Sequence, residues 1–379
     1  MKNQVTEVMP YYPAVFAACD EYQILMSFAA EAIVRVEVGD RTFYDDACGV
    51  LRSSDLIHRV NVPASLLDAA KGYTVVYRKL IDRKAYFPEM EEEVCLTYDF
   101  RPLPTDRAIK IYHLSDTHSA VEEPIAASEY FGDETDLLIL NGDIPNHAGK
   151  PEHMETVFKL ASGVAKGNIP ILCSRGNHDT RGRCAEDFLR YIPHKNGKTY
   201  YTARLGNVWA LILDCGEDKN DDHEEYGNTV CFHPFRLAET EFIKDVVKNA
   251  AKEYQAAGVE HRLVICHIPF TFSKLQDPFD IEKELYAEWS RILRDEIKPE
   301  LMICGHRHLC EIWEVGGKND VYGQACPVVI GSRPIRHKET KEKEFIGCAI
   351  TLEKGHAKVV FNHHSGKIID EHDLVLRED

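Results

Sequence analysis

The sequence predicts an α/β layered core preceded by a smaller all-β domain. From Ile109 onward, short apolar runs alternate with stretches of helical periodicity, which is the pattern of strands layered with helices. The first hundred or so residues hold only strand-like runs rich in β-branched and aromatic residues. Between the two lies Arg101-Pro102-Leu103-Pro104-Thr105, whose prolines stop a helix from running through. A chain of 379 residues is long enough for two domains, and the expected division is 1–105 and 106–379.

In the N-terminal part, Tyr22 to Phe28, Ala32 to Val38 and Tyr73 to Leu80 read as strands, and Gly39-Asp40 suits a hairpin turn. In the second part the expected strands are Ile109 to Leu114, Leu137 to Leu140, Ile169 to Cys173, Val208 to Leu213, Leu263 to Cys266 and Leu301 to Cys304. Helices are expected at Met154 to Ala165, Ala238 to Ala257 and Ile281 to Ile297. The tail, from about Pro327 to Leu376, returns to strands, including Phe345 to Leu352 and Ala357 to Phe361. A mixed topology is therefore expected, without internal repeats or low-complexity tracts.

A hydrophobic fraction of 44% and a charged fraction of 28% are those of a folded globular chain, so disorder is excluded for most of it. The formal charge of -17 argues against an extended nucleic-acid surface, which would be repelled. It leaves room for a small phosphorylated substrate, because bound metal ions would dominate the local field. The opening residues lack a basic, then apolar, secretory pattern, and no run approaches the roughly 18 apolar residues of a membrane span. The twelve cysteines show no CxxC pair, and several sit in apolar runs such as Val264-Ile265-Cys266. Reduced thiols and a cytoplasmic protein with no membrane partner are the expectation. The oligomeric state is left open.

Five polar clusters follow predicted strands, where open α/β sheets carry their ligand-binding residues. Asp116-Thr117-His118 can chelate a metal, since alternate residues point the same way, but taken alone it reads better as a solvated turn. Gly142-Asp143 places a carboxylate after a tight turn, and such a residue also caps helices. In Gly176-Asn177-His178-Asp179 an amide oxygen and an imidazole can enter one pocket. His267 ends the run Leu263 to Cys266, where a hydrogen-bonded core histidine is the competing reading. Gly305-His306-Arg307-His308 carries two histidines one residue apart, which suits adjacent metals. Five clusters in this order turn weak separate signals into one.

That order, D-x-H, G-D, G-N-H-D, H and G-H-x-H over roughly Ile109 to His308, resembles the calcineurin-like metallophosphoesterase superfamily, which includes purple acid phosphatases, protein phosphatases and many phosphodiesterases. The resemblance implies a four-layer αββα sandwich with a dimetal site at its strand ends. It implies that Asp116, His118 and His308 hold one metal, that Asn177, His267 and His306 hold the second, and that Asp143 bridges them. His178 would protonate the leaving group or stabilise the transition state, beside the substrate with Asn177. A bridging carboxylate can hold two cations about 3.5–4 Å apart, close enough for a shared water to ionise near neutral pH and attack phosphorus in line. Mixed His, carboxylate and amide ligands suit manganese, iron or zinc. The N-terminal segment, through His58-Arg59-Val60-Asn61-Val62 and Tyr73 to Arg78, resembles the fibronectin-III-like domain that precedes the catalytic domain of purple acid phosphatases, which implies a structural role.

Three departures bear on the transfer. Asn146 stands where relatives carry an Asp or Asn three residues past the G-D block, so an Asp that orients the catalytic His is missing. Purple acid phosphatases place a tyrosine ligand there, and its absence argues against a ferric-tyrosinate centre. Arg307 replaces the usual small residue between the two histidines, either contacting substrate phosphate or facing outward. The acidic stretch Asp214 to His223 reads as a lid over the strand ends or as a solvated loop. The expected activity is hydrolysis of a phosphomonoester or phosphodiester. The alternatives are an inactive scaffold of the same fold that binds a protein partner, and a two-metal hydrolase acting on another bond.

Overall fold

The computed structural model describes residues 4–47, 49–272, 276–336 and 343–377. Two sheets pack face to face, and each carries helices on its outer side. The larger is ten-stranded. Its centre is parallel: Ile109–Leu114 pairs with Leu137–Asn141, which pairs with Ile171–Ser174. Antiparallel strands Lys343–Glu353, His356–His363 and Ile368–Val375 extend it on one side. The second sheet runs Tyr201–Leu205, Val208–Leu213, His261–Cys266, Leu301–Cys304, Val328–Ile330 and Glu311–Trp313. The mixed topology is as the sequence predicts.

Side-chain alternation explains the layering. The central strands of both sheets are covered on both faces, so they are largely apolar, and successive residues serve different cores. Ile109, Ile111, Leu137 and Ile139 point inward and meet Ala210, Ile212, Leu263, Ile265 and Ile303 of the other sheet. Their neighbours Leu114, Leu138 and Leu140 point outward, against Val157, Phe158 and Ala161 of helix Thr156–Val164. On the far side Leu211, Val264 and Met302 pack under helices Phe232–Lys248 and Lys283–Ile292 through Ile243, Leu285 and Trp289. Helix, sheet, sheet, helix is the four-layer order.

The N-terminal region is all-β apart from the helix Ala64–Ala70. Val94–Asp99, Gly72–Asp82, Ala32–Val38 and Arg41–Tyr44 form a sheet of their own with Glu89–Met90. Ala14–Ala18, Glu21–Ser27 and Ile57–Pro63 instead continue the ten-stranded sheet, joined to it where Phe16 pairs in parallel with Ile171. This region therefore shares a sheet and a core with the chain that follows.

One helix departs from its expected span. Instead of Ala238 to Ala257, the segment is helical over Phe232–Lys248. Its start is set by Asp221, whose carboxylate accepts the backbone N–H groups of Phe232 and His233 at 2.8 and 2.9 Å. Both are groups with no partner inside a helix. Its end comes at Asn249, whose side chain donates to the Asp245 carbonyl.

A buried polar link ties a second outer helix, Glu122–Ser128, to the large sheet. Tyr112 Oη donates to Asn362 Oδ1 at 2.9 Å, and Asn362 Nδ2 donates to the Ala127 carbonyl at 2.7 Å. Tyr112→Phe strands the amide oxygen in the core. A loss of about 1–3 kcal/mol in unfolding free energy is expected from denaturant titration.

Candidate metal centre

All five clusters lie just past a strand: Asp116 after Ile109–Leu114, Asp143 after Leu137–Asn141, Asn177 after Ile171–Ser174, His267 after His261–Cys266 and His306 after Leu301–Cys304. Three come from the large sheet and two from the small one, so the site forms where the two carboxyl edges meet. The backbone there is unusual. Asp116, His118, Asp143, His306 and His308 all have positive φ, between 44° and 66°. This left-handed region costs a non-glycine residue about 1–3 kcal/mol, and it points these side chains back over the strand ends.

Glycines let the loops approach. A Cβ on Gly176 would lie 2.3 Å from the Asp143 backbone nitrogen, and one on Gly305 would lie 1.8 Å from Ser115 Oγ. Hydrogen bonds then lock the contacts. Asp179 Oδ2 accepts from the backbone N–H groups of Gly176 at 2.7 Å and Asp143 at 3.1 Å. The N–H of His306 donates to Asp116 Oδ2 at 2.9 Å, and that of His178 to Asp143 Oδ1 at 2.8 Å.

The side chains converge. His118 Nε2 lies 3.0 Å from His308 Nε2, and His308 Nε2 lies 3.2 Å from Asp116 Oδ1. His267 Nε2 lies 3.2 Å from Asp143 Oδ2 and 3.9 Å from Asp116 Oδ1. Asn177 Oδ1 lies 3.1 Å from His306 Nδ1. Among the described residues, donor atoms within 4.8 Å of one another form three groups: Asp116, His118 and His308; His118, Asp143 and His178; Asp143, His267 and His306. His118 and Asp143 each belong to two groups, so the three are continuous.

Orientation favours metal ligation. Asn141 offers His267 a carbonyl, which can only accept, so Nδ1 carries the proton at 2.7 Å and Nε2 faces the carboxylates. That Nε2 is buried and satisfies no hydrogen bond, as a ligand nitrogen would be. Burial pushes the His267 pKa down, but the charges of Asp143 and Asp116 outweigh it and raise it to about 10. Burial acts upward on Asp143, yet the charge of His267 holds its carboxyl well below the usual range. His118 and His306 are pushed down to about 4, chiefly by burial, which leaves both imidazoles neutral and able to ligate. The donor set therefore fits a pair of cations, one of which would have to displace the proton that His267 otherwise holds.

Two expected residues are placed differently from the cage. His178 sits at its mouth, partly exposed, and its Nδ1 donates to the Asn146 carbonyl at 2.8 Å. The backbone of Asn146, not a carboxylate, thus orients this ring. Arg307 lies outside the three groups, with its guanidinium 5.1 Å above the Phe272 ring. The sequence reading missed Asn141, Ser115, Asp179 and Asp218 as partners of the site. Asp218 belongs to the acidic stretch, and its Oδ2 lies 3.5 Å from His306 Nε2. The stretch is anchored over the strand ends through Glu217, buried and paired with Arg181 at 2.6 and 2.7 Å. Asp179 adjoins a motif residue in sequence, whereas nothing local marks Asp218.

A family model described as calcineurin-like phosphoesterase matches residues 109–310, more than half of the chain. The chain belongs to the calcineurin-like phosphoesterase family. The match begins with the first central strand and ends two residues past His308. No protein of curated function matches this calcineurin-like phosphoesterase by sequence. Among solved structures, a purple acid phosphatase from yellow lupin (Lupinus luteus) superposes with a TM-score of 0.59 at 14% identity, over 97% of this chain and 75% of the other. A structure of PhoD superposes with a TM-score of 0.56 at 9% identity, over 100% of this chain and 93% of the other. At these identities the likeness is one of fold, and it extends over the N-terminal strands.

Gly305→Ala tests the packing of the calcineurin-like phosphoesterase site. Its methyl group must displace Ser115 Oγ, which bonds Asp116 and the Asn141 carbonyl at 2.7 and 2.8 Å. Overpacking is expected to cost about 1–3 kcal/mol of stability and to weaken metal binding. Denaturant unfolding and a metal titration measure the two.

Proposed function

We propose that the protein hydrolyses a phosphate ester, with two cations held at the meeting strand ends. One observation carries this reading. Seven His and Asp side chains from loops on two different sheets bring their donor atoms into three continuous groups. Chance surface clusters do not draw on five strand ends while burying four of their members, Asp116, His118, Asp143 and His267.

In this reading Asp116, His118 and His308 hold one cation, Asn177, His267 and His306 hold the other, and Asp143 lies between them. Such a pair supplies a water ionised near neutral pH and neutralises charge on the phosphoryl oxygens. Manganese, iron and zinc suit this donor set. The chain's own groups do the rest. His178, fixed through Nδ1, presents Nε2 at the open side of the cage, 4.0 Å from Asp143 Oδ2. When protonated it can donate to the departing alkoxide. Arg181 Nη1, 3.5 Å from that same Nε2, borders the position. Asn177 and His178 flank the incoming phosphate, and Arg307 adds a guanidinium beside His306.

The favoured substrate is a small phosphomonoester, because the fold likeness to a purple acid phosphatase includes the N-terminal strands. Nucleic acid is disfavoured by the charge of -17. No described helix is long and apolar enough to cross a membrane. The described cysteines are all free thiols, which supports a reducing compartment and, with it, the cytoplasm.

The test begins with metal analysis of protein purified without chelator, followed by turnover of p-nitrophenyl phosphate and its bis ester with added manganese. About two metals per chain and turnover of the monoester are expected. A protein without bound metal or turnover is the inactive scaffold instead. Asp143→Asn is expected to cost more activity than replacement of any one outer ligand, since it loosens both cations; metal content and kcat decide this. His178→Ala should lower kcat by about 10²–10⁴-fold while both metals stay bound. Full turnover of esters with poor leaving groups by that variant would remove the proton-donor role.

A further inference from the structure

Beside the cage, and sharing His306 and Asp218 with its edge, lies a half-open cleft with a cavity volume of about 50 Å³. Its walls include Phe270, Phe272, Phe279 and Tyr286, and Arg307 borders it. Phe270 and Tyr286 are buried, with ring centroids 5.9 Å apart, and form a fixed floor. Phe272 and Phe279 are only partly buried, and each already faces a cation: Arg307 lies 5.1 Å above Phe272, and Lys219 lies 5.2 Å from Phe279. Aromatic walls of this kind next to a polar cage are the usual make-up of a small-molecule site.

Arg307 adds a second observation. Its Nε is buried and has no acceptor among the described residues. A buried donor of this kind is rarely left unpaired, so a ligand entering here is expected to bring an acceptor. A phosphate ester does so, since His306 and Arg307 both line the same cleft. The cleft then receives the group esterified to the phosphate.

We propose that this pocket is the specificity site for the ester group and that it selects a flat aromatic ring, carried on a phosphate. The inference rests on the hydrolytic reading for its phosphoryl position, but the pocket itself can be tested by binding alone. Flat walls and a stacked guanidinium favour ring-on-ring and ring-on-cation contact over contact with a flexible chain. An aryl group and a nucleobase share this chemistry.

Calorimetry of the metal-loaded protein with benzylphosphonate, cyclohexylmethylphosphonate and propylphosphonate reads the pocket without turnover. Benzylphosphonate is expected to bind at least about tenfold tighter than propylphosphonate, the scale of burying one ring, and tighter than the cyclohexyl analogue. Phe279→Leu, which keeps apolar volume but removes the ring, should bring the benzyl-to-propyl ratio under about threefold, and Phe279→Ala should do the same. Equal binding of benzyl and cyclohexylmethyl compounds overturns the ring selectivity, and equal binding of all three overturns the pocket. Two kinetic pairs with matched leaving groups separate the sources: benzyl against propyl phosphate, and adenosine 5′-monophosphate against ribose 5-phosphate. A kcat/KM ratio above about tenfold in either pair supports the site and names the ring. If the benzylphosphonate preference holds while no ester is turned over, the pocket stands and the hydrolytic reading falls.

Discussion

Asp116 and Asp143 are both buried, and His267 lies within 4 Å of each of them. Two carboxylates removed from water in one place demand positive charge, because unit charges about 4 Å apart interact by about 4 kcal/mol at an effective dielectric near 20. His267 supplies part of it, and the backbone N–H groups of His306 and His178 supply partial charge. One imidazolium cannot balance two carboxylates in a dry site. The arrangement is most stable with cations between these groups, and the rest of the site is built around that requirement. A bound cation would also take the place of the proton on His267.

Holding those carboxylates there requires a backbone that most sequences would refuse. Five of the converging residues adopt the left-handed region, and loops from two sheets pass within contact distance at Gly142, Gly176 and Gly305. Local preference would relax each of these turns. The two faces of apolar contact on every central strand prevent it, since moving a loop means shifting a strand packed on both sides. Asn141 shows the coupling in one residue: its amide donates to the Ile303 carbonyl on the opposite sheet, and its own carbonyl fixes His267. The four-layer core and the site are therefore one mechanical unit.

This coupling also decides what could be read from sequence. Strand ends were legible because each buried run, such as Leu137 to Leu140, is followed at once by glycine and a polar cluster, so fold and ligands share the same few residues. The candidate ligands Asp116, His118, Asp143, Asn177, His267, His306 and His308 all fall in such places. What stayed hidden depends on distant pairing. The start of helix Phe232–Lys248 is set by Asp221, eleven residues upstream of Phe232, and no local periodicity records it. The pairing of Phe16 with Ile171 draws N-terminal strands into the large sheet, although the prolines at 102 and 104 read as a linker. Asp218 reaches His306 only because Glu217 is pinned by Arg181.

The acidic character of the chain has to be weighed at the scale on which charge acts. A formal charge of -17 spread over a molecule of this size is screened beyond about 8–10 Å at ordinary ionic strength, so it governs encounter with long polyanions more than contact at a buried site. Within the site the balance reverses. In the proposed reading, two divalent cations against Asp116 and Asp143 would leave a net positive centre, with Arg181 beside His178 and Arg307 on the cleft that His306 also borders. Arg181 is largely neutralised by Glu217 and Glu225, whereas Arg307 has no carboxylate within ion-pair distance among the described residues. The attraction for an anionic ligand is thus lopsided toward Arg307, which is also the side on which the aromatic walls begin. On the same reading, charge and apolar surface would point a phosphate ester in the same direction, with its phosphorus over the cage and its organic part between the aromatic walls, bordered by Asp218 and Lys219 of the acidic loop.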